Sequence, residues 1–307
     1  MLSQIRIAAS WLRGRPRLGP LALRLVPDVR IRLRYPNLGT FRIRLRRNRS
    51  FWLRDPEQFE QIPFSMLKAL VRPGDIVADI GANLGLYSRF IAGWTGASRV
   101  LAFEPWVENR ELLHENLALG SVQGRVQVLP FALADVEGEL EFQVDDAQSA
   151  SGALDLVRKG SPSEGRANLR LPPLTTRVPC RTLDGLVERR EIAAPAVLKI
   201  DVEGAEARVL AGACRLLSDV RPRVFVELHG ADEAKEVLGL LLSHGYKVVG
   251  RVVPSIDPAG FVRLGSEDLS RIRGRYDVAF MAAVADGEVP QPLSSEALFD
   301  RARPLGG

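Results

Sequence analysis

DIGANLGLYS, residues 79–88, decides how this chain folds. An apolar run from Ile76 to Ala78 leads into it and reads as a buried strand. SRFIAGW, residues 88–94, follows and reads as a helix. Asp79 closes the strand, and Gly81 and Gly85 loosen the turn. Glycine lets backbone approach a bound molecule closely, and the free N–H groups of a helix start face it. This is the layout of a ligand cradle. A dinucleotide fingerprint begun at Gly81 needs glycine again at 83 and 86. Asn83 and Leu86 stand there, so the spacing is Asp-x-Gly-x-x-x-Gly instead.

Strands and helices alternate outward from this turn. Strands are expected at 76–80, 99–104, 126–131, 197–201 and 224–228, with helices at 85–94, 107–119, 205–217 and 232–244. That alternation argues for a doubly wound, mostly parallel sheet. GELEFQV adds a short strand, and YKVVGRVV and DVAFMAAV make the last two. Residues 145–177 are rich in Ser, Gly and Pro without a clear period, which suggests a lid, a substrate loop or disorder.

Two more strand ends carry carboxylates. Glu104 closes RVLAFE, and a carboxylate there can accept both ribose hydroxyls of an adenosine. Asp201 and Glu203 emerge after VLKI, residues 197–200, and Gly204 opens a helix. Carboxylates at strand ends of an open α/β sheet mark its binding crevice. Glu203 and Glu206 also simply suit the positive start of that helix.

The segments DIGANLGLYS, AFEPWVENRELLHENLAL, FALADVEGELEF, RTLDGL, LKIDVEGAEARVLAGA and RPRVFVELHG stand in that order. Their run resembles the FkbM family of methyltransferases, from about residue 60 to 250. The resemblance implies a Rossmann-like class I methyltransferase fold: a seven-stranded sheet with helices on both faces and an antiparallel hairpin at one edge. It implies S-adenosylmethionine as the methyl donor and a hydroxyl acceptor on a sugar, glycan or secondary metabolite. Asp79, Gly81, Asn83, Gly85 and Glu104 then bind the donor, and Asp135 matches the family position facing the adenine amino group. Asp135 also reads as a turn residue before Gly138, and Asn116 as a helix residue only.

Methyl transfer from a sulfonium needs in-line alignment and removal of the acceptor proton; a positioned base contributes about a hundred- to ten-thousandfold in rate. Asp201 and His229 are the candidates, since His229 follows the fifth strand at the same sheet edge. His114 and His244 sit on helices and read as structural. Lys199, Glu203 and Glu227 are candidates for binding substrate. Alternation puts Lys199 on the same side as Asp201, and either Asp201 or Glu203 could pair with it. Asp201, Glu203, Glu227 and His229 could instead hold Mg or Mn, a reading given the smaller share.

Charge is unevenly placed. Residues 1–54 hold 14 arginines and one acid, Asp28, for a charge of +13; the remainder carries −8. Such an arm meets something negative, whether a membrane surface, nucleic acid or an acidic protein face. RIRLRY and FRIRLRRNRSFWL alternate Arg with apolar residues, so 29–35 and 41–53 read as a β-hairpin with Arg toward water. Residues 2–13 form a possible helix with Leu2, Ile5, Ala9 and Leu12 on one face, suited to peripheral contact with an anionic membrane. Residues 1–60 thus form a basic extension, 61–285 the methyltransferase domain and 286–307 a loose tail. Two cysteines, Cys180 and Cys214, offer neither a disulfide framework nor metal spacing and fit a cytoplasmic protein. No apolar stretch is long enough to span a bilayer. Nucleic-acid amino-methyltransferases need an Asp/Asn-Pro-Pro-aromatic run where DVEG stands, so a nucleic-acid partner is not favoured; a non-enzymatic protein binding through the arm is the alternative.

Overall fold

A computed structural model of the chain describes residues 26–146, 151–154, 166–167, 170–252, 261–273, 278–290 and 298. The expected helix over 2–13 lies outside these residues.

The hairpin comes first: β1 (Arg30–Tyr35) pairs antiparallel with β2 (Gly39–Arg44). The second arm is shorter than expected. The Asn48 carboxamide accepts from Arg44 N at 2.8 Å and the chain turns into α1 (Ser50–Leu53). The helix expected over 56–71 is broken into α2 (Pro56–Phe59) and α3 (Gln61–Leu70).

The main sheet follows, with β3 (Ile76–Ile80), α4 (Leu86–Trp94), β4 (Arg99–Phe103), α5 (Val107–Leu119) and β5 (Val126–Leu129). A smaller sheet then branches off: β6 (Ala132–Leu133), β7 (Gly138–Asp145), β8 (Ser151–Leu154) and β9 (Thr175–Arg181), in the order β6-β9-β7-β8. Part of the insertion read as irregular is therefore sheet. β8 pairs with β7 across a short connection, but β9 pairs with β6 and β7 across long sequence gaps, which local periodicity does not report.

The chain returns through α6 (Leu183–Glu188), β10 (Val197–Ile200), α7 (Glu206–Ala211), β11 (Arg223–Glu227), α8 (Ala231–Ser243), β12 (Lys247–Val252), β13 (Phe261–Leu264) and β14 (Val278–Val284). A π-helical turn at Leu216–Val220 ends the segment expected as one helix over 205–217. The sheet order is β13-β12-β14-β11-β10-β3-β4-β5. Strands β5, β4, β3, β10 and β11 are parallel, and β14 and β12 form the antiparallel edge. This is the expected seven-stranded order with β13 added outside β12. The order reverses between β3 and β10, and crevices form at such a switch point.

The central strands are mostly apolar because both faces are covered; buried Asp79 on β3 and Lys199 on β10 are the exceptions. Val77, Val100, Val197 and Phe225 face α3, α4, α5 and the hairpin, with Phe64 stacked on Phe90 at 4.2 Å. Ala78, Leu101, Leu198 and Val224 face α7 and α8. The tail is not wholly loose: Gly287 O accepts from Lys247 Nζ at 2.6 Å, Val289 packs on the core, and the carbonyl of buried Leu298 accepts from Lys68 Nζ at 3.0 Å.

The acidic partner of the basic hairpin is α5 of the same chain. Arg30 pairs with Glu111 and Glu115, Arg42 with Glu115, and Arg44 and Arg47 with Glu108. Asn116, fully buried, clamps the seam. Its Oδ1 accepts from Arg42 N at 2.6 Å, and its Nδ2 donates to Arg42 O and Leu84 O. It is more than a helix residue: it ties the hairpin to the glycine turn. Among the described residues no helix is long and apolar enough to cross a membrane.

Candidate active site

The turn after β3 is set by its neighbours. Gly81 has φ +80°, and a Cβ there would lie 1.8 Å from the carbonyl oxygen of Asp201. Glycine at 81 is thus required by the approach of β10, which brings Asp201 beside the turn. Gly85 has φ +91°, and a Cβ on it would meet Leu113 at 2.5 Å. Asn83 also adopts a left-handed conformation, φ 50°, which Asn tolerates better than most residues.

Glu104 sits behind this turn, only 4% exposed. Its Oε2 accepts from Asn83 N at 2.8 Å and its Oε1 from Trp106 N at 2.9 Å. Burial pushes its carboxyl up to about 7, partly offset by those two N–H donors and by Asn109. A pocket opens in front of it. Phe103, Phe131, Leu133 and Phe142 give it apolar walls, and Asp201 and Glu203 close its far end. Phe142 comes from the smaller sheet and was not expected here.

Asp79 is placed differently from expectation. It is fully buried and absent from the pocket lining. The sheet register sets it opposite Lys199, whose Nζ lies 3.1 Å from Asp79 Oδ1; Ser88 Oγ donates to Oδ2 at 2.6 Å. Lys199 also reaches Asp201 at 3.4 Å, and Tyr87 covers it with its ring centroid at 4.4 Å. Burial alone lowers the Lys199 ammonium, but Asp79, Asp201 and Glu227 outweigh it and raise it. Lys199 is 1% exposed, so its charge serves its neighbours and it is not presented to a substrate. Of the two pairings open from sequence, that with Asp201 is the one formed. Asp135 is exposed and paired with Arg208 at 2.5 Å, away from the pocket; Phe131, Ala132 and Leu133 line the wall assigned to it.

His229 stands among carboxylates. Its Nδ1 lies 2.7 Å from Glu206 Oε1, and its Nε2 is 3.7 Å from Asp201 Oδ1 and 3.9 Å from Glu203 Oε2. Burial lowers the imidazolium's pKa, but Glu206, Glu203 and Asp201 more than offset this and hold it at about 10. Glu206 does far more than cap a helix: it is fully buried, and its Oε1 also accepts from Gly204 N at 3.0 Å. Glu203 holds this turn in a left-handed conformation, φ 58°.

Two further groups complete the Asp201 end. Tyr87 Oη donates to Glu60 Oε2 at 2.6 Å, so a residue from before β3 reaches the centre. Burial raises the Glu60 carboxyl, against the Tyr87 hydrogen bond. Burial, then Asp201 and Glu60, raise Glu227 well above its ordinary value, and His229 and Lys199 pull it back. Both carboxyls are thus shifted toward their protonated, donating form, Glu227 the more strongly. Among the described residues no group of three or more His, Cys, Asp or Glu is spaced to hold a metal. His114 is exposed, and His244 Nδ1 lies 2.9 Å from Leu240 O.

The profile of the methyltransferase FkbM domain matches residues 79–248. The chain belongs to the FkbM family of S-adenosylmethionine-dependent methyltransferases. It is similar to the AMB antimetabolite synthetase AmbE of Pseudomonas aeruginosa, 32% identical over 57% of this chain, but it spans only 10% of AmbE. The 31-O-demethyl-FK506 methyltransferase FkbM of Streptomyces tacrolimicus is 31% identical over 60% of this chain and 77% of its own length. The hexuronic acid methyltransferase AglP of Haloferax volcanii is 29% identical over 59% and 67%. The FkbM match begins at Asp79, so Glu60 and the hairpin lie outside it.

Proposed function

We propose that this chain transfers a methyl group from S-adenosylmethionine to a hydroxyl of a sugar, glycan or secondary metabolite. The observation that carries this reading is the single crevice running from Glu104 to Asp201 across the sheet's switch point. A crevice with apolar walls and a few convergent polar groups at a sheet's switch point is the usual place for a small-molecule site. Each Glu104 oxygen accepts one backbone N–H and keeps lone pairs for a ribose hydroxyl. Phe103, Phe131 and Phe142 offer flat apolar surface for an adenine ring. The bound donor supplies an activated methyl group and a neutral leaving group.

Asp201 is the proton acceptor in this reading. It lines the crevice, and its carboxylate faces the cations of Lys199 and His229. His229 enters as an imidazolium that orients Asp201, because a proton held up to about 10 is not vacated at neutral pH. Glu203 lines the crevice beside Asp201, and the raised Glu227 and Glu60 carboxyls stand behind Asp201 at the acceptor end. The relatives named for 31-O-demethyl-FK506 and hexuronic acid support an oxygen-rich acceptor.

The test is methyl transfer from labelled S-adenosylmethionine to a panel of glycans, free sugars and macrolides, read by product mass. Label on an acceptor hydroxyl, abolished in Asp201→Asn while calorimetric donor affinity holds, is the expected result. Donor binding without transfer to any oxygen acceptor, or full turnover in Asp201→Asn, overturns it.

A further inference from the structure

We propose that Glu206 is a positioning residue of the methyl-transfer centre: its buried carboxylate grips the Nδ1–H of His229, turns Nε2–H toward Asp201 and Glu203, and so fixes the base. The function reading gives this arrangement its purpose, but its test does not depend on that reading.

Glu206 is fully buried, and its Oε1 converges with His229 Nδ1 at 2.7 Å and Gly204 N at 3.0 Å. An ionised carboxylate only accepts, so Nδ1 must carry the proton. The position of Glu206 is set by Glu233 on α8. Glu233 accepts from Ala207 N at 2.6 Å, and burial, with Glu206 beside it, raises its carboxyl to about 7. Glu233 is hydrogen-bonded to Glu206 and so fixes where that carboxylate sits.

Every group facing His229 is an acid. Asp201 and Glu203 come from the turn after β10, Glu206 from α7 and Glu227 from β11. Glu206 alone among them is within hydrogen-bond distance of the ring. Without it, Nδ1 would have no acceptor, the ring could flip, and either nitrogen could face Asp201. The sequence carries the signal in hindsight: Glu206, Val209 and Leu210 share one helical face, and the other two are buried core.

Three histidines make the test direct. Protein labelled with ¹⁵N-histidine is titrated by long-range ¹H–¹⁵N NMR, with His114→Gln and His244→Gln used for assignment. In the native protein His229 should show two N–H groups at neutral pH and titrate near 10. Glu206→Gln should lower its proton affinity by about a hundredfold, two pH units at the midpoint. Glu206→Asp, which keeps the charge but retracts it, covers the case in which the glutamine variant does not fold; it should lower the midpoint by a smaller step. A native His229 titrating near its ordinary value, or a midpoint unmoved in both variants, overturns the proposal. On an acceptor from the panel, Glu206→Gln should cut turnover by about tenfold or more with donor affinity unchanged. Full turnover there also overturns it. Absence of any methyl transfer would sink the function reading yet leave the NMR result standing.

Discussion

At one end of the crevice Glu104 meets backbone amides; at the other Asp201 meets side-chain charges. Glu104 is held by Asn83 N and Trp106 N among apolar walls. Asp201 is held by Lys199 and His229, which are themselves fixed by Asp79 and Glu206. Backbone amides come from the fold itself and carry no net charge to neutralise. Side-chain charges must be delivered from several elements at once, and each leaves a buried counter-charge if lost. The Glu104 end should therefore fail locally, in donor affinity, and the Asp201 end globally, in stability.

The largest effect should come from Lys199→Met. Asp79 is fully buried opposite Lys199, and losing the ammonium strands its carboxylate. Breaking such a pair costs about 3–5 kcal/mol. Urea unfolding should show that loss, and a drop below about 1 kcal/mol would mean that the Ser88 hydroxyl suffices for Asp79.

Glu104→Gln should be milder and confined to the donor. It keeps the shape and removes the charge, which is worth about 1.5–3 kcal/mol in a charged hydrogen bond, or roughly ten- to a hundredfold in donor affinity. The pH dependence gives the sign. Burial holds the free Glu104 carboxyl at about 7. Below that value it is protonated, and a neutral carboxyl accepts more weakly. Donor affinity in the native protein should rise with pH through about 7 and then level. Calorimetry on Glu104→Gln should trace a flat line over the same window. A parallel rise in both proteins would assign the dependence to another group.

Asn116→Ala tests how far the Glu104 end depends on the hairpin. Its carboxamide makes three bonds to Arg42 and Leu84 backbone. Leaving buried groups unpaired costs about 1–3 kcal/mol. Because Leu84 lies in the glycine turn, donor affinity should fall along with stability. Full donor affinity in a destabilised variant would show that the turn stands without the hairpin.

The Glu104 end was legible because its requirements are local. Gly81, Gly85 and Glu104 follow strand ends whose order comes from alternating periodicity, whereas Asp79, read the same way, is the buried partner of Lys199 at the other end. Even there the reason was partly different: Gly81 makes room for the carbonyl of Asp201 as well as for a ligand. The Asp201 end was half legible. Asp201 and His229 stood out at strand ends, but Glu60, Tyr87 and Glu206 reach it from three separate segments. Each does sit on an apolar face or at an element junction. Tyr87 shares its face with Phe90, Ile91 and Trp94, and Asn116 with Leu112, Leu113 and Leu117. A polar residue on an apolar stripe has a buried partner, and only the fold says which. The place of Phe142 at the crevice depended on the long-range pairing of β7 with β9, which no local pattern encodes.

The smallest effect should belong to Tyr87→Phe, and it separates the two ends most cleanly. The substitution keeps the ring over the Lys199 ammonium and removes only the hydroxyl that donates to Glu60. One neutral hydrogen bond contributes about 0.5–1.5 kcal/mol, so urea unfolding should move by no more than that. Glu104 and its two amides are untouched, and donor affinity should not change. The Glu60 carboxyl, freed from its donor, can rotate away from Asp201 and Glu227. The predicted signature is a raised KM for the acceptor with kcat and donor affinity preserved. An unchanged acceptor KM would confine Glu60 and Tyr87 to structural support, whereas a fall in donor affinity would show that the two ends of the crevice are coupled through Lys199.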